Sequence, residues 1–201
     1  MRFAEMERSL LRIIAVLLLL TVQTAIVAAK EIYFPPGSLS DRADVQNFIE
    51  NWYSKHLRSM GEVPVYPAVA DLHLYRLTWL RTFHHPLVFR LEIRSNGTAM
   101  LYTKMTNGKG GYAPGKLIPT EEKHLTKLQV DKLLKGLNSM RFWTAPSLDE
   151  NHGLDGARWI LEGVNNGLYH VIDRWSPQQG EFLDWSLQLM QLSGQSLEPL
   201  Y

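Results

Sequence analysis

The sequence predicts an α+β domain built on a largely antiparallel sheet, with helices packed on one side of it. Two Asn-Gly pairs, at residues 96–97 and 166–167, lie between strand-like segments, which is the pattern of tight β-hairpins. Helical periodicity occurs once before the strands, once between them and once after them. Because the links between consecutive strands are short, antiparallel neighbours are favoured over a parallel sheet with crossover helices.

Residues 1–29 are predicted to be a secretory signal peptide. Three arginines precede a continuous apolar run, and small residues at its end predict cleavage after Ala29. The alternative is an uncleaved anchor, since residues 13–29 provide 17 residues, the low end of what spans a bilayer as a helix. We therefore expect one α+β domain over residues 30–201. Its location would be the periplasm or the exterior, or the inner membrane surface if the N-terminal segment remains attached.

The composition excludes several classes of function. No cysteine is present, so disulfides, thiolate chemistry and a lipoprotein attachment site are excluded. Removal of residues 1–29 would take away three arginines and two glutamates, and the formal charge would fall from +1 to zero. A chain without basic excess gives little electrostatic support for binding nucleic acid or a membrane surface. Contact with a membrane is expected only through residues 13–29, if that segment is not cleaved.

The first element of the mature chain is predicted to be an amphipathic helix. It is capped by Ser40 or Asp41 and runs to about Ser59. Its apolar residues follow the helical repeat and are predicted to face the core, with His56 as a boundary residue beside them. The stripe comprises Val45, Phe48, Ile49, Trp52, Tyr53 and Leu57.

Three strands are predicted next, over residues 72–81, 87–94 and 98–105. With Asn-Gly as a two-residue turn, Tyr102 and Lys104 share a mainly apolar face with Phe89. The opposite face carries Arg90 and is predicted to be solvated. Lys104 either extends its ammonium group to solvent or binds a buried partner, and the first alternative is favoured.

A glycine-rich loop over residues 107–115 follows these strands. It is not a phosphate-binding loop, because Leu117 stands where Ser or Thr is required and Pro114 disrupts the turn. Tyr112 and the four glycines can line a groove. The alternative is a flexible connection with the tyrosine packed beneath it.

The remaining elements before and after the second hairpin are a polar strand and two helices. The strand is predicted over residues 116–125, and Thr126 with Gln129 forms a capping box that opens the next helix. The last helix is predicted over residues 180–192 and is closed by Gly194.

The second hairpin is predicted between Leu154 and Pro177 and holds the densest mixture of charged, aromatic and histidine side chains. Its turn uses either Asn165 and Asn166 or Asn166 and Gly167, and both registers give the same two faces. One face carries Trp159, Leu161, His170, Ile172 and Arg174. The other carries Arg158, Ile160, Glu162, Tyr169, Val171, Asp173 and Trp175.

The chemistry of this hairpin has two interpretations. Its carboxylates together with His170 can support acid/base chemistry, and its arginines can hold an anionic group. In the favoured, structural interpretation, Arg158 and Asp173 form a cross-strand ion pair and Arg174 stacks on a neighbouring tryptophan, Trp159 or Trp175. No catalytic residue is assigned. The candidate binding residues are Asp155, Arg158, Trp159, Glu162, His170, Arg174, Trp175 and Tyr112.

Several short motifs of the chain resemble those of an uncharacterised group of bacterial exported proteins. These motifs are DG-x-x-W-x-LE and YHV-x-x-RWSP in the hairpin, with FHHP and GGYAPGKL upstream. The resemblance covers about residues 72–194 and implies export and a single module. It implies no activity, cofactor or catalytic residue.

Three hypotheses about function follow. The first is a non-catalytic binding module of the cell envelope or periplasm, which binds a protein, a peptide or an envelope polymer through an uncovered sheet face and the glycine-rich loop. The second is a hydrolase-like enzyme that uses the carboxylates and His170 of the hairpin. The third assigns every one of these residues a structural role and places function at an interface elsewhere on the molecule. No metal site or cofactor is expected, since adjacent residues such as His84 and His85 point in opposite directions on an extended chain.

Overall fold

A six-stranded antiparallel sheet forms the centre of the fold in the computed structural model. The strands are β1 (Leu74–Arg81), β2 (Leu87–Ile93), β3 (Ala99–Met105), β4 (Glu121–Leu125), β5 (Ala157–Asn165) and β6 (Leu168–Trp175). Their spatial order is β4-β3-β2-β1-β5-β6, so the first four strands form a meander and the β5–β6 hairpin pairs back onto β1. This arrangement confirms the predicted α+β class and its antiparallel sheet.

The structure describes residues 31–148, 153, 155–196 and 198–200. The predicted signal peptide or anchor lies outside these residues. Ile32–Tyr201 form one compact unit. Within the described part of the chain, no helix has the length and apolar character needed to cross a membrane.

Three α-helices accompany the sheet in the described part of the chain, and they occupy both of its faces. They are α1 (Ala43–Ser59), α2 (Lys127–Ser139) and α3 (Glu181–Ser193). Tyr53 and Leu57 of α1 pack with Ile160 and Val171 on one face, together with the segment around Tyr33. Residues of α2 and α3 pack on the other face. The expectation that the helices lie on one side is therefore corrected, and the sheet face expected to be uncovered is in large part covered by α1.

The core on the α2/α3 face is rich in aromatic residues. Trp79 and Trp159 are fully buried there, with ring centroids 5.0 Å apart. Trp185 of α3 donates from Nε1 to the Leu133 carbonyl of α2 at 2.9 Å, which ties the two helices together. The capping box that opens α2 forms as predicted between Thr126 and Gln129.

The β5–β6 hairpin has the register in which Asn166 and Gly167 form the turn. Asn165 pairs with Leu168, and both turn residues have positive φ angles, 50° and 75°. This backbone is the one that Asn-Gly adopts readily in two-residue turns. The two faces of the hairpin are composed as predicted.

The β2–β3 turn differs from the prediction by one residue. Ile93 pairs with Ala99 and Arg94 N donates to the Thr98 carbonyl at 2.8 Å, so the turn contains the three residues 95–97, with Gly97 at a φ angle of 80°. Because side chains alternate along a strand, a one-residue slip moves the whole set to the opposite face. Lys104 and Tyr102 therefore share a face with Arg90, not with Phe89.

Candidate functional site

Glu162, a candidate binding residue on β5, lies in a buried ion pair with Arg76 of β1. Both side chains are 0% exposed, and Arg76 Nη2 lies 2.7 Å from Glu162 Oε2. The Tyr169 hydroxyl donates to Oε1 at 3.0 Å. Burial and the Glu162 charge raise the pKa of Tyr169 well above its usual value, so this hydroxyl remains a donor. Each oxygen of Glu162 is therefore held by a protein group.

A second buried carboxylate, Glu62, extends these contacts to β2 and β3. It lies 3.4 Å from Arg76 Nη1, 3.1 Å from Arg90 Nε and 2.7 Å from Lys104 Nζ. Burial alone would raise the pKa of Glu62, but the three cations outweigh burial and lower the pKa below its usual value. Lys104 thus binds a buried partner, and the prediction that it extends to solvent is wrong.

We call this set the buried charge network. It comprises Glu62, Arg76, Arg90, Lys104, Glu162 and Tyr169. Its two carboxylates and three cations are held between the sheet and the residues that follow α1. Charges removed from water in this way require partners, and breaking one pair leaves another charge unpaired. The network therefore has the character of a structural element.

Two further candidate residues, His170 and Arg174, lie on the opposite face of the hairpin. His170 Nε2 is 3.0 Å from the Ala145 carbonyl oxygen. Burial lowers the pKa of His170, and the Arg174 cation adds to that effect. Arg174 donates to the carbonyls of Pro146 and Ser147, at 2.7 and 3.1 Å. Both side chains hold residues 145–147, which follow α2.

The aromatic neighbour of Arg174 is Phe182 and not one of the two tryptophans that were expected. The His170 ring meets Phe142 edge-on, with centroids 5.2 Å apart. The Arg174 guanidinium lies 6.0 Å from the centroid of the Phe182 ring. Trp159, the next candidate, is fully buried in the core. These contacts give all three candidates structural roles.

The carboxylates and the histidine of the hairpin do not converge. Glu162 and Asp173 face α1, whereas His170 points to the other side of the sheet. Asp155 is exposed just before β5. Acid/base catalysis needs its groups within hydrogen-bonding reach of one substrate. The hairpin therefore does not assemble the cluster on which the hydrolase hypothesis depends.

The other candidate residues meet in a surface cleft at one end of the sheet. The cleft consists of two adjoining depressions of about 470 and 280 Å³ that share the wall Trp52, Gly111 and Tyr112. We call it the aromatic cleft. The first depression is also lined by Phe48, Asn51 and Lys55, and the second by Thr82, Gly153, Asp155, Arg158 and Trp175.

One wall of the aromatic cleft is the glycine-rich loop, which is held firmly in place. Trp52 Nε1 donates to the Gly110 carbonyl at 2.8 Å, and Lys55 Nζ donates to the Tyr112 carbonyl at 3.0 Å. The loop also pairs with the β1–β2 turn, since Gly110 N donates to the His84 carbonyl at 3.0 Å. A Cβ atom at Gly110 would lie 2.5 Å from the Arg81 carbonyl oxygen, so only glycine fits there.

His56 lies under this loop, fully buried on α1. Burial lowers the pKa of His56 to about 4, and the nearby Lys55 charge acts in the same direction, while the Gly110 and Tyr112 carbonyls partly oppose the shift. The ring is therefore neutral at pH 7. His56 is an interior residue and not the boundary residue that was predicted.

The opposite wall is formed by Arg158 and Trp175 at the open end of the hairpin. The Arg158 guanidinium lies 5.2 Å from the Trp175 ring centroid and 3.5 Å from Asp173 Oδ1. The predicted Arg158–Asp173 ion pair is thus present. Asp173 also accepts from the Tyr53 hydroxyl of α1 at 2.7 Å. The wall is anchored in the core and presents an aromatic ring beside a cation.

Sequence analysis identified only some of the exposed aromatic residues of the cleft. Phe48 is 69% exposed and Tyr112 is 57% exposed, and the Phe83 ring lies beside Tyr112 at a tilt of 32°, with centroids 6.2 Å apart. Phe48 was predicted to be core, but the buried side of α1 is centred on Glu50, Tyr53 and Leu57. The width of the apolar stripe indicated that some of its residues stay exposed, because one helix face cannot bury all of them.

Comparison with known proteins assigns no family. No protein-family model matches the chain, and no curated protein matches it. Among the described residues, no group of three or more His, Asp or Glu side chains is arranged to hold a metal ion.

Proposed function

We propose that this protein is a non-catalytic binding module of the cell envelope and that the aromatic cleft is its ligand-binding site. One observation carries the proposal. Four of the eight candidate binding residues, Tyr112, Asp155, Arg158 and Trp175, line the aromatic cleft together with the exposed Phe48. A concave surface with exposed aromatic rings and a few convergent polar groups is typical of a ligand site.

The arrangement of the four motifs that carry the resemblance to exported proteins supports this site. Gly111 and Tyr112 of GGYAPGKL, Asp155 of the DG motif and Trp175 of RWSP all line the aromatic cleft. FHHP contributes Phe83, which contacts Tyr112. Segments far apart in the chain thus contribute to one surface.

The proposal of a binding role without catalysis is supported by the state of the ionisable groups. Glu162 and Asp173 are buried against protein partners, and His170 is on the other side of the sheet. Asp155 is the one cleft carboxylate that is exposed among the described lining residues. Among the described lining residues, Asp155 has no second exposed carboxylate and no histidine beside it, and a single carboxylate is a poor start for hydrolysis.

Location in the cell envelope is part of the same proposal and rests on the N-terminal sequence pattern. Mass analysis of the full chain expressed in a bacterium is the test. Recovery outside the cytoplasm of a chain that begins at Lys30 is expected after cleavage, whereas a full-length chain in the membrane fraction would indicate the anchor. A full-length chain in the cytoplasm would contradict export.

The binding site is tested by NMR of the tryptophan indole N–H signals in the full chain. We would screen neutral and charged oligosaccharides, peptides and lipid headgroups. The expected result is a ligand that shifts the signals of Trp52 and Trp175 but not those of buried Trp79 and Trp159. The ligand should be recovered chemically unchanged. A ligand that shifts only other signals, or that is converted to product, would contradict the proposal.

A further inference from the structure

The chemical class of the ligand follows from which groups of the aromatic cleft remain available, and this step rests on the proposed function. The loop amides on the cleft wall already donate hydrogen bonds within the protein. The amides of Gly110, Gly111 and Tyr112 donate to the carbonyls of His84, Thr82 and Lys109 at 3.0–3.1 Å. Recognition in the cleft must therefore come mainly from side chains.

A peptide is a poor fit to such a surface. Extended peptides are commonly bound by adding a strand, which needs free backbone groups at a sheet edge. The edge strand β6 is partly covered here, because Asp173 N donates to the Ser147 carbonyl at 2.7 Å. In the loop, the carbonyls of Gly110 and Tyr112 already accept from Trp52 and Lys55.

A strongly charged ligand is also a poor fit. The described cations of the cleft are Lys55 and Arg158, and the described carboxylates are Asp155 in the lining and Asp173 behind it. The two signs balance among these described residues, so together they create no net field to attract a polyanion or a polycation.

The groups of the cleft lining that remain available to a ligand are aromatic rings and short polar side chains. Phe48 and Tyr112 are mostly exposed, while Asn51 provides an amide and Asp155 a carboxylate. An aromatic face is electron-rich and attracts weakly polarised C–H groups. The amide of Asn51 can donate to a hydroxyl or accept from one, and the carboxylate of Asp155 accepts from hydroxyls. A sugar ring has a C–H face and a rim of hydroxyls, and it matches this combination.

We propose that the ligand of the aromatic cleft is a neutral polysaccharide, bound with adjacent sugar rings on either side of Tyr112. The two depressions share Tyr112 as a wall, so one ring would occupy each depression. Phe48 stacks on one ring, and Trp175 with Arg158 contacts the next. Binding is expected to strengthen from a single sugar to a disaccharide and then to level off once both depressions are filled.

The full chain is titrated with neutral oligosaccharides of increasing length, and binding is followed by calorimetry and by NMR of the tryptophan indole N–H signals. One series is made of β-1,4-linked glucose and the other of β-1,4-linked N-acetylglucosamine, which distinguishes two sources of the same chemistry. A set of neutral hexapeptides forms the third arm. The expected result is saturable binding of at least one sugar series that shifts the Trp52 and Trp175 signals.

Variants then connect the binding to the cleft. Tyr112→Ala should weaken the affinity by at least roughly tenfold, as expected for truncation of a central aromatic anchor. Tyr112→Phe, which keeps the ring, should bind nearly as well. Leu128→Ala is the matched control, since Leu128 is 67% exposed on α2 and lies outside the cleft lining.

The outcomes separate the ligand class from the site. If peptides bind with loss in Tyr112→Ala and no sugar binds, the polysaccharide inference is wrong and the binding module stands. If no probe binds, or if binding is indifferent to Tyr112→Ala and Phe48→Ala, both the inference and the proposed site are wrong. Equal affinity for single sugars and for tetrasaccharides would overturn the arrangement of rings on either side of Tyr112.

Discussion

The buried charge network and the aromatic cleft lie on the same face of the sheet and use the same kinds of residues. In the network, Arg76 and Glu162 are 0% exposed and satisfy each other. In the cleft, Tyr112 is 57% exposed and Asp155 is open to solvent. Arginine, carboxylate and aromatic side chains thus occur in both regions, but only one of them presents such groups to a ligand.

Residue type alone therefore does not distinguish a ligand-binding site from a cluster that stabilises the fold. Glu162 and Asp155 lie only a few positions apart on the same strand and its lead-in. The first is enclosed because Arg76 and Tyr169 cover it, and the second is exposed because it precedes the paired part of β5. Substitutions in the two regions should therefore affect different properties.

The largest expected effect is a loss of stability on substitution of a residue in the buried charge network. Glu162→Ala removes the closer of the two carboxylates that pair with Arg76 in the interior and leaves Glu62 shared among three cations, and we expect a loss of about 3–5 kcal/mol in the free energy of unfolding. That corresponds to a fall in melting temperature of roughly 2–4 °C per kcal/mol for a domain of this size. Chemical denaturation of the full chain measures it.

Two controls sharpen this result. Glu92→Ala removes a more exposed carboxylate that also pairs with Arg90, and it should cost less than about 1 kcal/mol. The double variant Arg76→Met with Glu162→Leu should be more stable than Glu162→Ala, since neither charge is left alone. Equal losses for Glu162→Ala and Glu92→Ala would remove the distinction between buried and exposed pairs.

Acidification should weaken the attachment of the loop through His56. Its pKa is lowered from 6.5 to about 4 in the folded chain. Between these values the unfolded chain binds a proton that the folded chain does not, so stability is complete above pH 6.5 and falls as the pH approaches 4. The loss attributable to His56 approaches about 3 kcal/mol.

The measurement is the free energy of unfolding as a function of pH for the wild type and for His56→Phe. The pKa values of His73, His84 and His170 are also lowered, so the difference between the two curves isolates His56. The His56→Phe curve should be flatter between pH 6.5 and pH 4. Parallel curves would show that His56 does not carry the effect.

A smaller effect is expected from Gly110→Ala in the cleft wall. The new methyl group would meet the Arg81 backbone at 2.5–2.6 Å, so the loop must move. We expect a loss of about 1–3 kcal/mol, the usual cost of overpacking, and weaker ligand binding as well. Ala113→Ser, an exposed change in the same loop, is the control for both measurements. Unchanged binding in Gly110→Ala would mean that the loop position is not important.

The smallest effect on stability should come from the cleft residues themselves. Phe48→Ser and Tyr112→Ala remove exposed side chains, and the free energy of unfolding should change by no more than about 0.5 kcal/mol. Leu128→Ser provides the comparison at an exposed site elsewhere. A large loss in Phe48→Ser alone would indicate that this ring stabilises the fold, and the contrast between the two regions would disappear.

Part of the fold and part of the site were predictable for local reasons. The Asn166-Gly167 turn, the Thr126 capping box and the α1 helix depend on residues close together in the chain. The composition of the two hairpin faces also followed, because alternation along a strand is independent of the rest of the fold. The β2–β3 turn was missed because the same Asn-Gly pair also fits a three-residue turn.

The class of fold, the order of its elements and the faces of the β5–β6 hairpin follow from the sequence alone, since they depend on periodicity and turn chemistry. No sequence pattern shows that α1 covers the face of Glu162, that Lys104 meets Glu62, or that Tyr112 and Trp175 line one cleft. These residues are far apart in the chain. Burial and pairing of a side chain are set by what the fold brings against it, which no local pattern contains.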